Sequence, residues 1–414
     1  MLNIVKIAAK NLLRYKRRTL LTTALIALGV VAVLLFIAVS GSFKSLMIGQ
    51  ITDSVMGHVQ IHRKGYVASI DNLPLNRNLN DKQMAKVEEI LRAEPAVESF
   101  TLRLKLGAMF SNFTETTNIR LNAVIPEEEF KTMPLLASRI SEELGEDLLA
   151  PGSIIVPELL AKGMQVKVGD TVVLVATNRE GSVNGKPFVV HGVLGGISGP
   201  GGRDGIIQLN DAKELLRIEG VEISEIAVRL KDIARLPAVT ASLEEKLGAI
   251  TNKEGKPVFE IHTWEKLSPF YNIAKMIDLM TLFIKVMLVA IVLVSIMNVM
   301  IMAVYERIGE IGTIAAIGTT PGKILSLFLA EGFLLAIVGT VTGTVISLLA
   351  IAGLNRAAFT FNFGQQTGLL LQPVISVRQI VPVLLIVIGI AVLASLQPAW
   401  KAARMDPITA LRHV

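Results

Sequence analysis

Residues 19–39 read TLLTTALIALGVVAVLLFIAV, Thr19 to Val39, 21 residues without a charge. A helix of ~20 apolar residues rising ~1.5 Å per residue covers the ~30 Å hydrocarbon core of a bilayer. The stretch therefore predicts a membrane span near the start of the chain. After it come roughly 240 mostly polar residues, then three more apolar runs: Val286 to Tyr305, Ile324 to about Leu354, and about Ile380 to Leu396. The predicted fold is an integral membrane protein of four transmembrane α-helices, with a large extracytoplasmic mixed α+β domain inserted between helices 1 and 2.

Charge separates along the same lines. Between Ser42 and Met276 stand 27 basic and 30 acidic residues; the remaining 179 residues carry 14 basic against 5 acidic. The excess positive charge thus lies at membrane flanks, and no soluble basic face is left for a phosphate backbone, so nucleic acid is not an expected partner. Lys6, Lys10, Arg14, Lys16, Arg17 and Arg18 precede the first span with no acid among them. Lys401, Arg404 and Arg412 follow the last. By the positive-inside rule both termini are expected in the cytoplasm.

The segments are then 1–18, a cytoplasmic amphipathic segment; 19–41, the first span; 42–268, the extracytoplasmic domain; and 269–305, a stalk and second span. They continue as 306–322, a cytoplasmic coupling segment; 323–354, the third span; 355–378, an outer loop; 379–399, the fourth span; and 400–414, a tail. The first apolar run exceeds the 7 to 15 residues of a signal-peptide core, so cleavage is not expected. In residues 1–18, Lys6, Lys10, Arg14 and Arg18 recur every fourth position, as in a helix lying in the headgroup layer. A plain topology signal is the alternative and has the same location.

In the outer domain, Asn80 or Asp81 can cap a helix with Met84, Val87, Ile90 and Leu91 on one face, ending before Pro95. Strand patterns cover Glu98 to Leu106, Thr117 to Val124, Thr171 to Ala176, Pro187 to Leu194, Gly205 to Leu209 and Glu225 to Leu230. There is no cysteine, so packing alone must hold this domain. Ser268 and Pro269 can open a helix running to Tyr305, about 55 Å at ~1.5 Å per residue. The bilayer accounts for ~30 Å of that length, which puts Asp278 and Lys285 on a stalk outside it.

The chemistry search returns negatives. Gly318 to Ile324 and Gly181 to Pro187 resemble phosphate loops but have one residue too few between the glycines and no hydroxyl after the lysine. No nucleotide site and no catalytic residue is expected. The Gly195 to Gly205 cluster lacks a dinucleotide pattern and reads as a surface loop. His58 and His62 alternate with Val59 and Ile61, as on a half-exposed strand, with no third ligand near, so no metal site is expected.

Within the membrane, Gly339, Gly343 and Ser347 repeat small residues every fourth position, a close-packing face either for a second copy or for another span of the same chain. Asn298 and Glu331 are polar groups inside predicted spans. Glu331 reads either as a functional site or as a side chain wetted at the cytoplasmic end.

Glu306-Arg307-Ile308-Gly309-Glu310-Ile311-Gly312, continuing through Ala316 to Gly318, Thr319 and Thr320, resembles a segment of the FtsX-like family of ABC transporter permeases, with its lipoprotein-releasing and macrolide-efflux members. Asn11-Leu12-Leu13-Arg14 with Arg17 to Thr19 is similar to the same family. So are Pro398-Ala399, Ala402-Ala403-Arg404, Asp406-Pro407 and Ala410-Leu411-Arg412. The resemblance is looser in the outer domain, at Val168-Gly169-Asp170 and Phe188 to Val193.

It implies a permease subunit in a bacterial cytoplasmic membrane, driven by a separate cytoplasmic ABC ATPase that uses ATP and Mg, and paired with an identical or different second permease. Membrane lipids and a periplasmic carrier or adaptor are further implied partners, and the chain itself binds no cofactor. Glu306, Arg307, Gly309, Glu310, Ile311, Gly312, Ala316 and Gly318 are the implied ATPase-coupling residues. Ile308, Ile311, Ile314 and Ile317 recur every third position and could seat in a partner's groove; the alternative is an interfacial turn. Lipoprotein or other lipid-linked cargo is the first expectation and peptide or drug efflux the second. A relay of ATP-driven motion to a cell-wall hydrolase is the reading from another class.

Overall fold

The computed structural model describes residues 2–140, 149–195, 203–363, 366–406 and 410. Pro407, Leu411 and Arg412 of the C-terminal motif, and residues 196–202 of the glycine cluster, lie outside these. The helices are α1 (Leu2–Arg14), α2 (Lys16–Ile51), α3 (Asp81–Ala93), α4 (Pro126–Thr132), α5 (Glu158–Gly163), α6 (Leu209–Leu216), α7 (Leu236–Gly248), α8 (Trp264–Leu267), α9 (Phe270–Tyr305), α10 (Ile308–Ala316), α11 (Pro321–Ala357) and α12 (Val377–Ala403). The strands are β1 (Val59–Arg63), β2 (Val97–Ser111), β3 (Thr116–Val124), β4 (Ser153–Pro157), β5 (Thr171–Thr177), β6 (Val183–Leu194), β7 (Asp204–Gln208), β8 (Glu225–Leu230), β9 (Phe259–Thr263), β10 (Thr360–Phe363) and β11 (Gln366–Leu370). The chain divides into two compact units, one of residues 1–45, 274–361 and 370–414, the other of 46–273 and 362–369.

The first unit is a helical bundle. Helices α2, α9, α11 and α12 are long and apolar enough to cross a membrane. Their buried faces share one core, with Ile26, Val30 and Leu34 of α2, Val292, Ile296 and Met300 of α9, Phe328 and Leu335 of α11, and Val387 and Ala391 of α12. The glycine face of α11 meets α2 of the same chain, the second of the two alternatives. A Cβ on Gly343 would stand 2.8 Å from the Ala27 carbonyl and 2.8 Å from Val30 Cβ; one on Gly339 would stand 2.7 Å from Ile26 Cβ. Ser347, one turn on, is fully buried. Lys44 and Asp278 pair at 2.5 Å, and Ser40 and Thr281 share a hydrogen bond of 2.7 Å, joining α2 to α9.

The second unit is a nine-stranded mixed sheet in the order β3-β7-β4-β6-β5-β2-β8-β1-β9, with β3 also paired to β2, so that six strands close into a ring. Alternation sends Leu104, Leu106, Ala108 and Phe110 of β2 and Ile119 and Leu121 of β3 into its core. The other face of the same strands carries Arg103, Lys105, Arg120 and Asn122. Helix α3 opens with a capping box, Asn80 with Gln83, as the sequence suggests.

His58 and His62 are both buried, not half-exposed, because β1 is paired on both sides, by β8 and β9. The His62 ring stacks on Tyr66 with centroids 5.1 Å apart, and its Nδ1 donates to the Ser224 carbonyl at 3.2 Å. Burial pushes its pKa down to about 4, so it is a neutral core residue.

Candidate functional site

Helix α9 stops at Tyr305 because Arg307 leaves helical geometry, with φ −116° and ψ 21°, and α10 starts on the next residue. Gly318 ends α10 at φ +94°, a conformation open to glycine. The Gly318 amide donates to the Ala315 carbonyl and the Thr319 amide to the Ile314 carbonyl, a Schellman pair. Pro321 then opens α11. The conformation needed at Gly318 gives that glycine a structural reason independent of any partner.

Arg307 does not point outward. It is 4% exposed, and its Nη1 lies 2.9 Å from Glu331 Oε1, whose carboxylate is also buried, on α11. The same oxygen accepts from the Asn11 amide of α1 at 2.7 Å. The Tyr15 ring lies under the Arg307 guanidinium at 4.2 Å, and the Tyr15 hydroxyl donates to Glu310 Oε1 at 2.9 Å. Arg18 approaches Glu306 at 3.6 Å. Glu331 is therefore neither wetted nor alone; it is the acceptor that holds α1, α11 and the entry to α10 together. Breaking a buried ion pair from one side costs on the order of 3–5 kcal/mol, since the remaining charge stays buried.

The isoleucine face expected on α10 does not exist as one face. At about 100° per residue, a step of three falls about 60° short of a full turn, so four such residues fan over about 180°. Ile311 is buried in the bundle core at 3% exposure and Gly312 beside it is buried too, whereas Ile314 is 39% and Ile317 81% exposed. Neither Ile311 nor Gly312 can reach a groove on another protein. The surface on offer is instead Glu310, Thr313, Ile314, Ala316 and Ile317, with Glu306, Gly318 and the open space around Gly309 beside it.

Asn298 is exposed on α9 and is not part of this cluster. Asn11 and Tyr15 also belong to the site, although the sequence does not mark them as its members. The one sequence signal for Asn11 was its place in the Asn11-Leu12-Leu13-Arg14 match; Tyr15 had none. Among the described residues, no group of three or more His, Asp or Glu side chains is placed to hold a metal.

Four long apolar helices thus share a core, with a short, partly exposed helix clamped between the second and third. Residues 19–246 match the family model of the MacB-like periplasmic core domain, and residues 282–407 that of the FtsX-like permease C-terminal region. The first match alone spans more than half of the chain, and the chain belongs to this MacB-like, FtsX-like family of ABC transporter permeases.

It is 25% identical to the lipoprotein-releasing system transmembrane protein LolC of Neisseria meningitidis, over 95% of this chain and 94% of that one. It is 26% identical to the macrolide export ATP-binding/permease protein MacB of Hahella chejuensis, over 98% of this chain and 59% of that longer protein. It is also 24% identical to the pyoverdine export ATP-binding/permease protein PvdT of Pseudomonas fluorescens, over 95% of this chain and 57% of that one.

Proposed function

We propose that the chain is the membrane subunit of a mechanotransmitting transporter, paired with a second permease and driven by a separate cytoplasmic ABC ATPase that docks on the exposed face of α10. ATP and Mg act in that ATPase. The sheet domain and both termini lie on opposite sides of a bacterial inner membrane, and the cargo is lipid-linked, a lipoprotein in the first instance. Near-complete overlap in both directions with LolC favours that cargo. The similarity to MacB and PvdT carries a second reading, efflux of a small molecule or peptide.

The observation that carries the coupling role is the clamp at Arg307. A helix that merely reversed the chain would need no buried ion pair at its base, whereas a helix that receives force must be fixed to the spans it moves. Displacement of α10 then reaches α11 through Glu331 and α1 through Asn11. Ile317→Asp, at the most exposed isoleucine of the α10 segment, should abolish co-purification of a cytoplasmic ABC ATPase from the native host while the bundle remains folded. Undiminished co-purification, with membrane insertion confirmed, would reduce α10 to a turn.

A further inference from the structure

The sheet face that carries Arg103, Lys105, Arg120 and Asn122 holds a cavity of about 530 Å³, separate from the cluster at Arg307. Ligand cavities fall at about 300–1,000 Å³. Its floor is polar: Gln60 of β1, Arg103 and Lys105 of β2, Arg120 and Asn122 of β3, and Asp204 of β7. Its walls are apolar, formed by Ile51, Val55, Ile70, Leu73, Leu267 and Phe270 from the end of α2, the turn after β1 and the entry to α9.

The floor divides into groups that are already paired and groups that are not. Arg103 is fully occupied by Glu129 at 2.6 Å, Glu225 at 2.9 Å and the Val55 carbonyl at 2.6 Å. Lys105 meets the second Glu225 oxygen at 2.6 Å. Among the described residues the Arg120 side chain has only Asp204, at 3.7 Å, an ion pair beyond hydrogen-bond length, and the facing Asp204 oxygen is buried without a donor. Burial pushes the Asp204 carboxyl up from its ordinary value, against the pull of Arg120 and Lys105.

The Asn122 amide makes no side-chain hydrogen bond among the described residues, and Lys266 at the rim has no carboxylate within ion-pair distance there. The groups left without a hydrogen-bonded side-chain partner on the floor are thus Arg120 and Asn122, with Lys266 and the exposed carboxylate of Asp71 as a cation and an anion nearer solvent, beside walls that a wholly polar ligand would leave unused. A solute that is polar throughout leaves the walls unused, and a hydrocarbon leaves the Arg120 guanidinium without a hydrogen-bond acceptor.

We propose that this cavity binds a single acyl chain with an anionic head, the head on Arg120, Asn122 and Lys266 and the chain along Ile51, Val55, Ile70 and Phe270. The inference stands apart from the transport reading, because it requires neither α10 nor an ATPase.

The test uses the full chain in lipid nanodiscs and a photoreactive palmitate carrying a diazirine on its chain, with its methyl ester as the uncharged control. Cross-linked peptides are identified by mass spectrometry. The acid should label peptides containing Ile70, Leu73 or Phe270, the ester at least tenfold less, and labelling of α11 should be equal for both. Arg120→Gln should lower acid labelling to the level of the ester, and Arg120→Lys should restore most of it. Ile70→Trp, which fills the cavity, should remove labelling by both probes. Equal labelling by acid and ester, labelling indifferent to Ile70→Trp, or no label on these peptides at all would each overturn the proposal.

Discussion

At the residue scale, the proposed coupling rests on Glu331, which accepts from Arg307 and from Asn11 of α1. Glu331→Gln leaves the Arg307 cation buried without its counter-charge, and the bundle should lose on the order of 3–5 kcal/mol. Replacing both partners, Arg307→Met with Glu331→Met, should recover most of that stability, because well-packed apolar side chains carry no desolvation cost. The same double variant should fail to couple if the pair transmits force. Thermal unfolding in nanodiscs and ATPase stimulation separate the two roles; a double variant as unstable as the single one would show that the cluster does more than balance charge. The sequence makes Glu331 visible as an ionisable group in an apolar run. It cannot reveal Asn11 as the partner, because that contact joins positions 320 residues apart.

Two buried groups in the sheet domain also set its response to acid. Burial opposes the charge on Glu225, but Lys105 and Arg103 outweigh it and hold the carboxyl at about 2, below its usual 4.5. This contribution is complete above the ordinary carboxylate value and is lost as pH falls through about 2. His62, pushed by burial from 6.5 to about 4, refuses in the folded state a proton that the unfolded chain accepts, so stability also falls as pH drops from 6.5 to 4. The slopes have the same sign. Trp264 fluorescence in a Trp400→Phe background should show the denaturant midpoint falling from pH 6.5 downward; a midpoint that rose on acidification would contradict both assignments.

At the element scale, the spans were legible from their length and freedom from charge, and several strands from alternation, with Glu225 to Leu230 read to the residue. The isoleucine stripe of α10 is not one surface because a period of three is not a helical period, so its members part company around the axis. The glycine face of α11 was legible as a packing face, but its partner was not, since small residues specify closeness and not identity. Gly343→Leu should therefore destabilise the bundle by about 1–3 kcal/mol or more, because the Ala27 backbone cannot yield to it. Gly353→Leu on the same helix, where a Cβ meets nothing within 4 Å, should be nearly silent in the same thermal unfolding assay. Equal effects would mean that α2 and α11 do not meet along this face.

At the scale of the whole molecule, the proposed mechanism requires the sheet domain and α10 on opposite faces of one membrane, the orientation that the positive-inside rule predicts from the lysines and arginines flanking α2 and α12. Because the chain has no cysteine, single replacements report position without background. Ser182→Cys in the β5–β6 turn and Ser376→Cys at the start of α12 should react with a membrane-impermeant maleimide in intact spheroplasts. Thr313→Cys on α10 should react only after permeabilisation. Labelling of Thr313→Cys from outside, or protection of Ser182→Cys until the membrane is opened, would contradict the account.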